Sequence, residues 1–155
     1  MDKYLSDVSA FHAKFGLDSL QPGMPGPLST DLAKIRANFM LEELMEYAHS
    51  CGLELEIQDG EATFVPASPA FLNLEGSLDA LVDLTYVVTG TALFHGFGNR
   101  HSEGRTIFGE AWHRVHQANM RKMRASHASQ SKRGTSFDVI KPEGWIAPKL
   151  LDLVG

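Results

Sequence analysis

Residues 77–96 read SLDALVDLTYVVTGTALFHG. The run is apolar on nearly every side, and its β-branched residues and Gly90 are poor helix formers, so a helix here must draw its stability from packing on both sides. The spacing predicts a helix over residues 69–95. Two aspartates interrupt it. Asp79 and Asp83 stand four residues apart and so share one face of a helix built for burial. Carboxylates in such a place are costly unless they are paired or bind a metal.

Upstream, residues 41–46 read LEELME inside another apolar run. Ser29 or Thr30 can cap a helix that extends to about Ser50, where Cys51-Gly52 stops it. Glu43 and Glu46 are three apart and Glu42 and Glu46 four apart, so all three lie on one flank, with Arg36 on a nearby stripe. Two adjacent helices, each presenting carboxylates, would gather four or five oxygen-bearing groups around a small cavity. Oxygen-only ligands suit hard divalent ions such as Mg²⁺ or Mn²⁺. The competing reading is that LEELME is a solvated Glu-rich flank.

Before this pair of helices, Tyr4, Val8, Phe11 and Phe15 fall at helical spacing, with Gly16 placed to end a first helix. The stretch LQPGMPGPLS at 20–29 forbids regular structure. Between the pair, residues 53–66 (LELEIQDGEATFVP) alternate apolar and polar around Asp59-Gly60, as in a small β-hairpin. After it comes the glycine-rich HGFGNRHSEGR, then a fourth helix over about 105–126 with Phe108, Trp112, Val115 and Met123 on its core side. On that helix His116, Asn119 and Met123 form one line beside Lys122. Asn and Lys both donate to phosphate oxygens, although a solvated amphipathic helix has the same pattern. The rest reads as loop. The expected fold class is all-α: one domain over 1–155, a compact bundle with a four-helix core and the hairpin as an insertion.

The chain has 155 residues and a net charge of −5, unevenly spread. Residues 1–99 hold four Lys/Arg against fourteen Asp/Glu; residues 100–155 hold ten against five. An acidic half with a basic half suits metal cations on one side and phosphate oxygens on the other. The single Cys51 excludes a disulfide framework and a Cys-based zinc site. The N-terminus lacks a signal-peptide pattern, and no apolar stretch reads as a bilayer span. A cytoplasmic setting with no membrane partner is therefore expected. Neither a Walker-type phosphate loop nor a Rossmann fingerprint occurs.

Five ordered blocks carry a resemblance: FHAKFG (11–16), Arg36 before EELME (42–46), DALVDLTYVVTGTA (79–92), VHQANMRK (115–122) and KPEGWIAP (141–148). Together the chain resembles the MazG-like all-α nucleotide pyrophosphohydrolases, above all their phage and bacterial branch, which includes MazZ-type (d)GTP diphosphohydrolases. The resemblance implies dependence on Mg²⁺ or Mn²⁺, two or more ions per site, and cleavage of a nucleoside triphosphate to monophosphate and pyrophosphate. It implies Glu43 and Glu46 as the Glu-x-x-Glu metal pair and Asp83 as the last ligand of the second pair. Ala80 stands where that pair has its Glu, and Asp79 takes its place. Glu42 or Glu46 would act as general base. Asn119, Lys122, His116 and Arg36 would grip phosphate, and Phe11, His12 and Phe15 would stack on the base. Guanine nucleotides are the expected substrates, with dUTP and other deoxynucleotides open. A homo-oligomer, dimer or tetramer, is implied, as is the host cytoplasm for a phage-encoded chain.

Two other readings compete. A ferritin-like di-iron protein would use Glu-x-x-His, and EYAH (46–49) and EAWH (110–113) have that form, but the first helix supplies no glutamate. Nucleic-acid binding through the acid-free stretch after Arg114 is opposed by the acidic remainder and by the lack of interleaved aromatics.

Overall fold

The long apolar helix α3 spans Leu74–Phe94 in the computed structural model, which describes residues 2–101 and 104–155. It starts five residues later than its composition suggests. Leu72 is still extended, bridged to Cys51, and Asn73 N–H donates to the Ser50 carbonyl at 2.8 Å. Asn73 then caps the helix, its Oδ1 accepting from Gly76 N–H at 3.1 Å. By length and composition α3 could cross a membrane, contrary to the expectation that no stretch would. Asp79 and Asp83 within it would be expensive in lipid.

The chain divides into two compact units, Met1–Phe97 and Gly98–Gly155. In the first, α1 (Asp2–Lys14) and α2 (Thr30–Ser50) both pack on α3. Ser29 caps α2 by accepting from Leu32 N–H at 3.3 Å. The buried line of α1 is Leu5, Val8 and His12; of the expected stripe Tyr4, Val8, Phe11 and Phe15, Val8 is buried and the three aromatics are exposed. The helix is rotated so that its smaller side chains meet α3 at Gly90. A Cβ at Gly90 would stand 3.1 Å from His12 Nε2, 3.2 Å from Arg36 Nη2 and 3.5 Å from Val8. Glycine is therefore what lets the three helices meet there.

Between α2 and α3 the strands β1 (Leu53–Gln58) and β2 (Glu61–Pro66) pair antiparallel, from Leu53 opposite Pro66 to Gln58 opposite Glu61. Asp59 and Gly60 form the two-residue turn with φ of 54° and 84°, both left-handed, as hairpin twist demands.

The second unit contains α4 (Ile107–Met120), capped by Thr106 Oγ1, which accepts from Gly109 N–H at 3.0 Å. The helix stops well short of residue 126, because the chain turns at Arg121 into β3 (Met123–Arg124), which pairs with β4 (Val139–Ile140). Ile107, Ala118, Ala125 and Leu153 are buried there, while Trp112 and Met123, expected in the core, are exposed. Trp145 Nε1–H donates to the Ala118 carbonyl at 2.8 Å.

The all-α expectation is thus overturned: a helical core is present, but two small antiparallel two-stranded sheets make the fold mixed. The second sheet had no readable signature, since two-residue strands are too short to show alternation.

Candidate functional site

Glu43 is the α2 carboxylate aimed at α3. Its Oε2 is buried with no hydrogen-bond partner among the described residues, an arrangement folded proteins rarely keep without a use for it. Burial pushes the Glu43 carboxyl above its ordinary value of 4.5, and the charges of Glu46, Asp83, Glu42 and Asp79 push it further. One side chain therefore feels all four other acids singled out in the sequence. The helical spacings on α2 and α3 and the packing of the two helices bring them together. Glu42, Glu46, Asp79 and Asp83 are exposed, so their rotamers are open to adjustment.

Arg36, one of the residues expected at phosphate, lies against α3. Its Nη2 donates to the Val87 carbonyl at 2.7 Å and its Nε to Thr91 Oγ1 at 3.0 Å. The guanidinium carbon stands 5.4 Å from the ring centres of both Phe39 and Phe94. Burial lowers its pKa, and the aromatic faces and the carbonyl compensate the cation.

Of the three α1 residues expected to stack on a base, His12 is buried. It stacks on Phe94 at 4.6 Å, and its Nδ1 is 2.9 Å from Gln21 Nε2. Since that amide nitrogen is a donor, Nδ1 accepts and the proton of the neutral ring sits on Nε2. Burial, then the charge of Arg36, lowers the His12 pKa, with Asp18 opposing. Phe11 and Phe15 remain partly exposed with ring centres 4.6 Å apart, and Tyr86 meets Phe11 edge-on at 5.4 Å. Tyr86 also lines a groove of about 340 Å³ between α1 and α3, with Tyr4, Val8, Val82 and Thr89. The sequence signal for Tyr86 was only its place seven residues after Asp79.

His116, Asn119 and Lys122 belong to the second unit. His116 and Asn119 are exposed on α4, and Lys122 is half-buried with its ammonium 5.7 Å from the ring centre of Trp145. Trp145 and Lys141, 4.6 Å above the same ring, were not anticipated. Their stretch reads as loop, and only the β3–β4 pairing brings it to Lys122. Glu110 of EAWH is held at 2.8 Å by Arg105 and at 2.9 Å by Arg114, which leaves the di-iron reading without a free carboxylate on that helix.

Among the described residues, no three of His, Cys, Asp and Glu already stand at metal-holding separation. The donor chemistry nonetheless fits a hard cation: five carboxylates, one with an orphaned buried oxygen, and no thiolate or imidazole in the set. Comparison with protein-family models and with curated proteins finds no match to this chain.

Proposed function

We propose that the chain is a Mg²⁺- or Mn²⁺-dependent nucleoside triphosphate pyrophosphohydrolase of the MazG-like kind, releasing pyrophosphate and a nucleoside monophosphate. The observation that carries this reading is the buried Glu43 Oε2, without a hydrogen-bond partner among the described residues, amid Glu46, Asp83, Glu42 and Asp79. A buried carboxylate oxygen beside four other acids lowers stability unless a cation completes it, and such costs cluster at functional sites. Mg²⁺ is commonly held by one or two carboxylates together with waters and substrate phosphate oxygens, so a preassembled protein cage is not required.

Glu43, Glu46, Asp79 and Asp83 are the residues that would hold the ions. When bound, such ions neutralise charge on the phosphates and lower the pKa of a water. Glu42 or Glu46, both exposed on α2, takes a proton on a carboxylate oxygen. Asn119, Lys122 and His116 lie in the second unit, and their phosphate-gripping role rests on the sequence blocks alone. Arg36 is given a positioning role, fastening α2 to α3 so that Glu43 faces Asp83. Phe11 and Phe15 offer the exposed rings for a base, while His12 is buried against Phe94. Guanine nucleotides are the proposed substrates, on the strength of the sequence blocks.

The partner we propose for the unburied apolar face of α3 (Leu74, Leu78, Leu81 and Val82) is a second copy of the chain. Asp79 and Asp83 on that helix argue against lipid.

The test is a panel of ribo- and deoxynucleoside triphosphates incubated with Mg²⁺ or Mn²⁺ and analysed by ³¹P NMR. The reading expects pyrophosphate with monophosphate, fastest from dGTP or GTP. Orthophosphate with diphosphate, or no product from any nucleotide, would overturn it.

A further inference from the structure

The second unit contains a cleft of about 470 Å³ whose lining includes Lys122, Lys132, Arg133, Lys141 and Asp138. Four cationic side chains thus face one carboxylate, and that carboxylate is already engaged. Asp138 Oδ2 accepts from Ser131 Oγ at 2.6 Å, and Oδ1 accepts from Arg133 Nη1 and Val139 N–H, each at 2.8 Å. Asp138 shapes the cleft and anchors Arg133, but leaves Lys122, Lys132 and Lys141 unneutralised by any acid of the lining.

The sheet makes this charge deliberate. Met123 pairs with Ile140 and Arg124 with Val139, so one step further out Lys122 lies across from Lys141. Like charges directly opposite one another destabilise a strand pair. Both ammoniums are instead held over one indole, at 5.7 and 4.6 Å from the ring centre of Trp145, and the indole is fixed by its bond to the Ala118 carbonyl. A cation–π pair softens the repulsion without removing either charge.

We propose that this cleft binds a condensed phosphate chain: a compact anion carrying several negative charges on adjacent phosphoryl groups. Clustering around one cavity favours such a ligand over nucleic acid, whose charges are strung out along an extended backbone and call for a stripe of cations. Lys offers point charges that adapt to several phosphate positions, and Arg133, held by Asp138, offers a fixed fork. The proposal does not rest on the carboxylates of α2 and α3. The chain bound could be free inorganic polyphosphate or the tail of a nucleoside triphosphate.

The experiment is calorimetric titration of the full chain, in EDTA and low salt, with inorganic tripolyphosphate, orthophosphate, GTP and a single-stranded oligonucleotide. Tripolyphosphate is expected to bind at least about tenfold more tightly than orthophosphate. Lys132→Gln and Lys141→Gln should each weaken it about tenfold, the loss of one charge-assisted contact, and Glu43→Gln should leave it unchanged. Lys141→Gln should also raise the melting temperature of the ligand-free protein, which shows that its weaker binding is not misfolding. GTP binding more tightly than tripolyphosphate assigns the chain to a nucleotide; equal affinity assigns it to the phosphates alone. Tripolyphosphate binding no better than orthophosphate, indifference to both Lys substitutions, or an oligonucleotide binding more tightly than tripolyphosphate would each overturn the proposal.

Discussion

Arg36 and Thr91 close a small polar triangle inside an otherwise apolar contact: Arg36 Nε donates to Thr91 Oγ1 at 3.0 Å, Thr91 Oγ1 donates to the Val87 carbonyl at 2.9 Å, and Arg36 Nη2 donates to that same carbonyl at 2.7 Å. This fastens α2 to α3 seven residues before Glu43. Thr91→Val keeps the shape but removes the acceptor of a half-buried, charged donor. It should cost about 1–3 kcal/mol in urea unfolding, and pyrophosphate release should fall with it if the helix register positions Glu43.

Gly90→Ala should be destabilising although alanine is the better helix former by about 1 kcal/mol. The new methyl would press on His12 Nε2 at 3.1 Å and Arg36 Nη2 at 3.2 Å, and both groups are held by other bonds. Overpacking of this kind costs about 1–3 kcal/mol. The net loss of roughly 1 kcal/mol lowers the melting temperature by about 2–4 °C for a chain of this size. A higher melting temperature would show that the three helices can move apart freely.

His12 sets a stability change on the acid side of neutrality. Its folded pKa lies below the ordinary 6.5, chiefly through burial. The unfolded chain therefore takes up the proton first, and the stability this group contributes is present above pH 6.5 and lost as pH falls through the folded value. Urea midpoints measured from pH 7.5 down to 5 should decline. His12→Asn should flatten that part of the decline while lowering stability at pH 7.5.

Glu43 behaves in the opposite sense. Its folded pKa is raised above 4.5, so its contribution is fully present below pH 4.5 and lost as pH rises through the raised value. In EDTA at pH 7, Glu43→Gln should melt at a higher temperature than the parent chain. Added Mn²⁺ should raise the melting temperature of the parent and not of the variant. A variant that melts lower in EDTA would mean that Glu43 is an ordinary structural carboxylate.

Much of the acidic site was legible because helical spacing is rigid: positions three and four apart must share a flank, so Glu42, Glu43 and Glu46, and likewise Asp79 and Asp83, could be grouped from residue number alone. The hairpin was legible from alternation around Asp59-Gly60. The face of α1 was read correctly at Val8 and misjudged at the three aromatics, because size and burial differ. Tyr4, Phe11 and Phe15 are the larger side chains, but contact with α3 at Gly90 selects Leu5, Val8 and His12. The β3–β4 pair, and with it the meeting of Lys122, Lys141 and Trp145, depends on two-residue strands far apart in sequence. Nothing local encodes that meeting.

The central claim is that carboxylates from α2 and α3 hold the ions for cleavage between the α and β phosphates. The most direct test is the rate of pyrophosphate release from dGTP with Mn²⁺ for the parent chain, Glu43→Gln and Asp83→Asn. The expected result is measurable release by the parent and a loss of at least about a hundredfold in each variant, the scale set by removal of one group that stabilises transition-state charge, with folding intact by circular dichroism. Unchanged rates in both variants would contradict the account.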